Sequence, residues 1–135
     1  MKRIEAVIYV EPVGKGRPKF RAQGKHVMAY TPAKTRHTEA MIETAIREQV
    51  MAFGRFDPGV PLSISATFFR PRPTHLPKRV KMPVSRPDLD NYAKLLQDAL
   101  EKYVYPNDSQ LTTMKYRKRF GTPPRIELVI QEEVE

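Results

Sequence analysis

The chain has 135 residues, a net charge of +9, 40% hydrophobic residues and no cysteine. Disulfides and thiolate metal sites are excluded, and no apolar run approaches the ~20 residues of a membrane helix. The length suits one small domain spanning residues 1–135, and the lack of cysteine fits a reducing cytoplasm. Met1-Lys-Arg leads into Glu5 and a strand-like segment, not into an apolar leader, so no signal peptide is expected.

In chain order, Ile4 to Val10 has strand character. Pro12 to Thr38 contains no acid but carries Lys15, Arg17, Lys19, Arg21, Lys25, Lys34 and Arg36. Within it, Gly14-Lys-Gly-Arg-Pro-Lys-Phe-Arg21 lacks the Walker A spacing. Its glycines permit close backbone approach to phosphate, and its cations give affinity without reading sequence. Phe20 and Tyr30 are candidates for base stacking, with core packing the plainer use of either. His26 to Tyr30 is a weaker strand.

The thirteen prolines avoid the windows 33–57 and 88–105, which become the helix candidates. In the first, Ile42, Ala45, Ile46, Gln49, Val50 and Phe53 repeat at helical spacing up to Gly54. Leu62, Ile64, Ala66 and Phe68 then alternate with Ser63, Ser65 and Thr67, a half-buried strand. Pro71 to Pro87 is too long for a simple connection and reads as a functional loop. Residues 58–87 are again free of acids and carry Arg70, Arg72, Lys78, Arg79, Lys81 and Arg86. Two such windows suggest a phosphate-binding surface.

Carboxylates return abruptly in Arg86-Pro-Asp-Leu-Asp-Asn-Tyr-Ala-Lys-Leu-Leu-Gln-Asp-Ala-Leu100. Leu89, Ala93, Leu96, Leu100 and Tyr103 form an apolar helical stripe, opposite Asp90, Lys94 and Asp98. Asp88 or Asp90 alone would serve as a helix cap. Two acids at one helix start instead suggest a bound cation, with Asp108 returning to the same point after the helix. Oxygen ligands without Cys or clustered His favour Mg²⁺ or Mn²⁺. An EF-hand is excluded because Ala93 stands where its loop needs Gly. Lys94 either pairs with Asp90 at i,i+4 or aims its ammonium at a bound phosphate. Thr112 to Arg119 and the alternating Ile126, Leu128 and Ile130 complete the strands, and Glu132 to Glu135 should fray. These elements imply an α+β fold with two main helices and a mixed or mainly antiparallel sheet.

Taken together, Pro12-Val-Gly-Lys-Gly-Arg-Pro-Lys-Phe-Arg21, Tyr30-Thr-Pro-Ala-Lys-Thr35, Pro87-Asp-Leu-Asp-Asn-Tyr-Ala-Lys94, Asp98-Ala-Leu100 and Asn107-Asp-Ser-Gln-Leu111 resemble the RusA family of Holliday-junction resolvases. The resemblance covers nearly the whole chain in order. It implies a bacterial or prophage homodimer, acting in the cytoplasm on nucleoid DNA. That dimer would bind four-way DNA junctions and nick two strands symmetrically with Mg²⁺, or Mn²⁺ as a substitute. By motif, the family's catalytic carboxylates fall on Asp88, Asp90 and Asp108, expected to hold the metal, and its required lysine on Lys94. Expected DNA contacts are Lys15, Arg17, Lys19, Arg21, Lys34, Arg72, Lys78, Arg79, Lys81 and Arg86. Asn107 departs from the commoner Asp of the family. Two other classes compete: a non-catalytic nucleic-acid-binding protein whose acids cap and pair, and an Asp-x-Asp transferase. The transferase lacks a glycine-rich strand–helix turn to hold a nucleotide.

Overall fold

The computed structural model describes residues 2–14, 19–24, 26–30, 32–101 and 103–134, with backbone alone for 19–21, 23 and 26–30. The elements are β1 (Arg3–Ile8), β2 (Lys19–Gln23), β3 (His26–Tyr30), α1 (Ala33–Phe53), β4 (Leu62–Arg70), α2 (Leu89–Leu100), a 3₁₀ turn (Asp108–Gln110), β5 (Leu111–Phe120) and β6 (Arg125–Glu132). The architecture is α+β, with a mixed, mainly antiparallel sheet as expected. β1, β6, β4 and β5 form it in that order, with β4 and β5 parallel and the other pairings antiparallel. Of the described residues, no helix is long and apolar enough to cross a membrane.

The alternation of β4 and β6 sets which face is buried. Leu62, Ile64, Ala66 and Phe68, with Ile126, Leu128 and Ile130, are buried on one face, joined by Ile4 and Ile8 of β1. Against that face pack Ile42 and Ile46 of α1 and Tyr92, Leu95, Leu96, Ala99 and Leu100 of α2. Phe68 and Tyr92 stack across the layers with ring centroids 5.2 Å apart.

One strand is added to the expected set and two expectations need correction. Lys19–Gln23 is a strand, pairing antiparallel with β3 as a separate two-stranded sheet. Gly24 in its turn has φ 62°, a conformation that costs glycine little. Phe53 is 59% exposed, because α1 stops at Gly54 and Phe56 takes the buried position beyond it. Tyr103 is 50% exposed for the same reason: α2 ends at Leu100, and Val104 and Tyr105 are the residues that turn inward. The tail is also better held than expected. Glu133 N–H donates to the Pro61 carbonyl at 2.8 Å, and its carboxylate accepts from the Thr113 hydroxyl at 2.8 Å.

The Pro-rich loop between β4 and α2 contains no helix or strand, yet cations hold it at several points. The Arg72 guanidinium donates to the carbonyls of Val80, Leu76 (3.4 Å) and Pro77 (2.6 Å) and lies 5.4 Å from the Phe120 ring centroid. Arg70 donates to the carbonyls of Ser85 (3.4 Å) and Arg86 (3.0 Å). Lys118 of β5 donates to Ser85 (2.9 Å) and Pro87 (3.1 Å). The Arg86–Pro87 peptide is cis.

Gln110 is a buried latch: its amide donates to the carbonyls of Asp57 at 2.8 Å and Val60 at 3.1 Å. Removing the donor leaves the Val60 carbonyl without its partner and the Asp57 carbonyl with only the long bond from Val60 N–H at 3.5 Å. Gln110→Leu should therefore lower stability by about 1–3 kcal/mol. Urea unfolding followed by circular dichroism checks this, and an unchanged midpoint would contradict the latch.

Candidate active site between α2 and β5

Because β4 and β5 are parallel, the chain must cross back over the sheet before β5 begins. It does so in α2, which starts beside Lys118 near the end of β5 and runs toward that strand's beginning. Two bonds mark the direction: Lys118 to Pro87, and the Tyr116 hydroxyl to Gln97 Oε1 at 2.7 Å. The buried face of α2 meets the sheet, while its polar face and β5 border an open cleft of about 750 Å³. Leu89, Ala93, Met114 and Tyr116 give this cleft an apolar floor; Asp90, Lys94, Gln97, Asp98 and Asp108 give it a polar rim.

Asp88 sits at the N-cap of α2, with its carbonyl accepting from Asn91 N–H at 3.1 Å and Tyr92 N–H at 3.3 Å. Its exposed carboxylate makes no capping bond. Asp90 follows in the first turn, and Lys94 lies one turn further on; both are exposed. Among the described residues the Asp90–Lys94 ion pair is not formed, its atoms lying beyond 4.0 Å. The two plain structural uses of these residues are thus not realised.

Asp108 is half-buried at the start of the 3₁₀ turn, where its Oδ1 accepts from the Tyr105 hydroxyl at 2.7 Å. Burial pushes the Tyr105 phenol far above its ordinary value, and the hydrogen bond to Asp108 and that carboxylate's charge push the same way. Burial, then the Asp108 charge, raises Tyr116 too. Asn107 acts locally, its side-chain oxygen accepting from Ser109 N–H at 2.9 Å and so capping the turn.

The cleft therefore gathers Asp90, Lys94, Asp98 and Asp108, with Asp88 just outside its lining. Asp108 shares this cleft with Leu89 and Asp90 of the first turn of α2. No three acidic or histidine side chains among the described residues form a group able to hold a metal ion. In donor chemistry Asp88, Asp90 and Asp108 fit a hard, oxygen-liganded cation.

Of the expected DNA contacts, Lys34, Lys78, Arg79, Lys81 and Arg86 are exposed. Arg72 is half-buried and engaged with the loop it belongs to. Lys15 and Arg17 lie outside the described residues; Lys19 and Arg21 are on β2, their side chains not described. The chain leading to Lys15 passes close to α2, since a Cβ added at Gly14 would stand 3.1 Å from Pro87 Cβ and 3.3 Å from Asn91 Cβ. Sequence reasoning missed the Arg70–Lys118 clamp. Its signal was present in the alternation of β5, which puts Lys118 on the same side as Met114 and Tyr116.

Residues 10–131 match the family described as Endodeoxyribonuclease RusA. The chain belongs to the RusA family of endodeoxyribonucleases. Along nearly its whole length it is similar to the uncharacterized protein YqaN of Bacillus subtilis (strain 168), with 30% identity over 145 residues covering 98% of each chain. It is also similar to the crossover junction endodeoxyribonuclease rusA of Lactococcus phage r1t, with 39% identity over 82 residues covering 57% of this chain and 59% of the phage protein.

The buried phenols make the site sensitive to alkali. Tyr92, Tyr105 and Tyr116 all titrate above the ordinary value of 10.0 in the folded chain, burial being the largest cause in each. Folding therefore retains protons that the unfolded chain releases. Their contribution is complete below the unfolded value and is lost as pH rises above it toward the folded values. Urea midpoints should fall as pH rises above about 10, and Tyr105→Phe should make that fall shallower by up to about 1.4 kcal/mol per pH unit. An identical alkaline slope in Tyr105→Phe would contradict the assignment.

Proposed function

We propose that the protein is a metal-dependent, structure-selective DNA endonuclease that resolves four-way junctions by paired symmetric nicks. The observation that carries this reading is the start of α2. There Asp88, Asp90 and Lys94 stand exposed without capping or pairing partners, the latter two on a cleft shared with Asp108 and Asp88 next to it in the chain. Membership of an endodeoxyribonuclease family and similarity to a phage crossover junction enzyme support it.

Asp88, Asp90 and Asp108 would hold Mg²⁺, or Mn²⁺ as a substitute. Such an ion supplies activation of water and neutralisation of phosphate charge. Lys94 stabilises the negative charge that builds on the scissile phosphate. The Tyr105 phenol, kept protonated by burial, fixes the rotation of the Asp108 carboxylate by donating to one of its oxygens. Lys34, Lys78, Arg79, Lys81 and Arg86, with Lys15, Arg17, Lys19 and Arg21, hold DNA by its phosphates. Arg72 serves by keeping that loop in place.

Symmetric nicking needs two sites related by a two-fold axis, hence a homodimer. A second reason is that no three acids among the described residues form a metal-holding group, and a second copy can complete a chelating set. Branched DNA in the cytoplasm is the expected partner. The competing reading, a binding protein whose acids only cap and pair, requires a capping bond at Asp88 and an Asp90–Lys94 pair. Neither is formed among the described residues.

Asp88→Asn, Asp90→Asn and Asp108→Asn should each cut a synthetic four-way junction at least about 100-fold more slowly. Junction affinity in EDTA should persist or rise, since a negative charge facing the phosphates is gone. Lys94→Ala should lose cleavage similarly, with binding reduced only by about one phosphate contact. Asn107→Asp should stay active, because Asp also caps the turn. Full cleavage by a folded, junction-binding Asp90→Asn protein would refute the site, and monomer masses from light scattering on a cleaving preparation would refute the dimer.

A further inference from the structure

β5 has two faces. Met114, Tyr116 and Lys118 point to the helix side, where the first two line the cleft and the third grips the loop. The alternate residues Lys115, Arg117 and Arg119 therefore lie on the sheet's open face, paired in register with Ser65, Thr67 and Phe69 of β4. Lys115 and Arg117 are exposed, and neither makes an ion pair among the described residues. The acids on this open face have partners: Glu127 of β6 with Arg125 at 2.7 Å, Glu5 of β1 with Arg3, and Glu133 with the Thr113 hydroxyl at the start of β5. Between them and the β5 cations stand the neutral Ser65 and Thr67. Positive charge is thus left uncompensated along one strand only, the one at the end of the sheet order.

The spacing suits DNA. Alternate strand residues are about 6.7 Å apart, so each cation reaches a different phosphate of one backbone. Ser65 and Thr67 alongside are neutral, and the carboxylates nearby are engaged: Glu127 with Arg125, Glu5 with Arg3 and Glu133 with the Thr113 hydroxyl. A duplex on this face lies on the opposite side of β5 from a duplex at the cleft. A four-way junction has four arms, so a symmetric dimer must hold two per protomer.

We infer that the open face of β5, through Lys115 and Arg117, is a second DNA track that holds the junction arm not presented to the cleft. This rests on the junction-resolving function proposed above. It gives the sheet edge the position of a wedge between two arms, one on each face.

The test is Lys115→Ala/Arg117→Ala, an exposed pair outside the catalytic cleft, compared with wild type in EDTA. Affinity for a four-way junction should fall about tenfold or more, and the slope of log K against log[salt] should become shallower by about 2. Affinity and slope for a linear duplex of one arm's length should be unchanged, because that duplex needs only the cleft track. An unchanged junction slope would overturn the inference, as would equal losses on junction and linear duplex. Thermal melting of the variant alongside wild type excludes unfolding as the cause. Wild-type protein that binds but never cuts junctions would refute the proposed function instead, a distinct result read from cleavage and not from the salt slopes.

Discussion

The parallel pairing of β4 and β5 governs the rest of the molecule. Antiparallel neighbours are joined by a turn, but parallel ones require the chain to travel the length of the sheet and return. Here the return takes the whole segment from Pro71 to Gln110: the Pro-rich loop, α2 and the 3₁₀ turn. Burying Tyr92, Leu95, Leu96, Ala99 and Leu100 against the sheet leaves Asp90, Lys94 and Asp98 on the opposite, wet side of the same helix. The chemistry of the cleft is a by-product of where the crossover must lie.

Charge is used in two distinct ways. Part of the excess of Lys and Arg is turned inward, with Arg70, Arg72 and Lys118 bonded to loop carbonyls. Charge-assisted bonds of this kind are stronger than neutral ones, and they explain how a segment with no helix or strand keeps a defined path into α2. Among the described residues, Lys34, Lys78, Arg79, Lys81, Arg86, Lys115 and Arg117 stay exposed. Composition counts both kinds alike, so net charge overstates what is presented to a polyanion.

The sequence was most readable where a periodic pattern met a single buried face. β4 and β6 alternate as their residues alternate, and the proline-free windows contain the two helices. The chemically loaded residues at 88, 90, 94 and 108 were readable because acids are conspicuous in a basic chain. Their arrangement was not. How these residues are placed depends on the path of α2 over the sheet and of the turn that follows it, which side-chain alternation does not encode. β2 was hidden because its alternation, Phe20 and Ala22 between Lys19, Arg21 and Gln23, is only two apolar residues long and sits in a run of cations and glycines. Arg72 passed for a surface cation because nothing local reveals that the loop folds back over its guanidinium.

The clamp on the Pro-rich loop has a consequence for how such a chain can change over time. Arg70, Arg72 and Lys118 all grip main-chain oxygens, so the hold is indifferent to which side chains occupy residues 76–87. Substitutions there can accumulate without moving the start of α2, as surface loops on a rigid scaffold generally allow. The loop is therefore a place where descendants of this chain can explore new DNA contacts while the position of Asp88 and Asp90 is inherited unchanged.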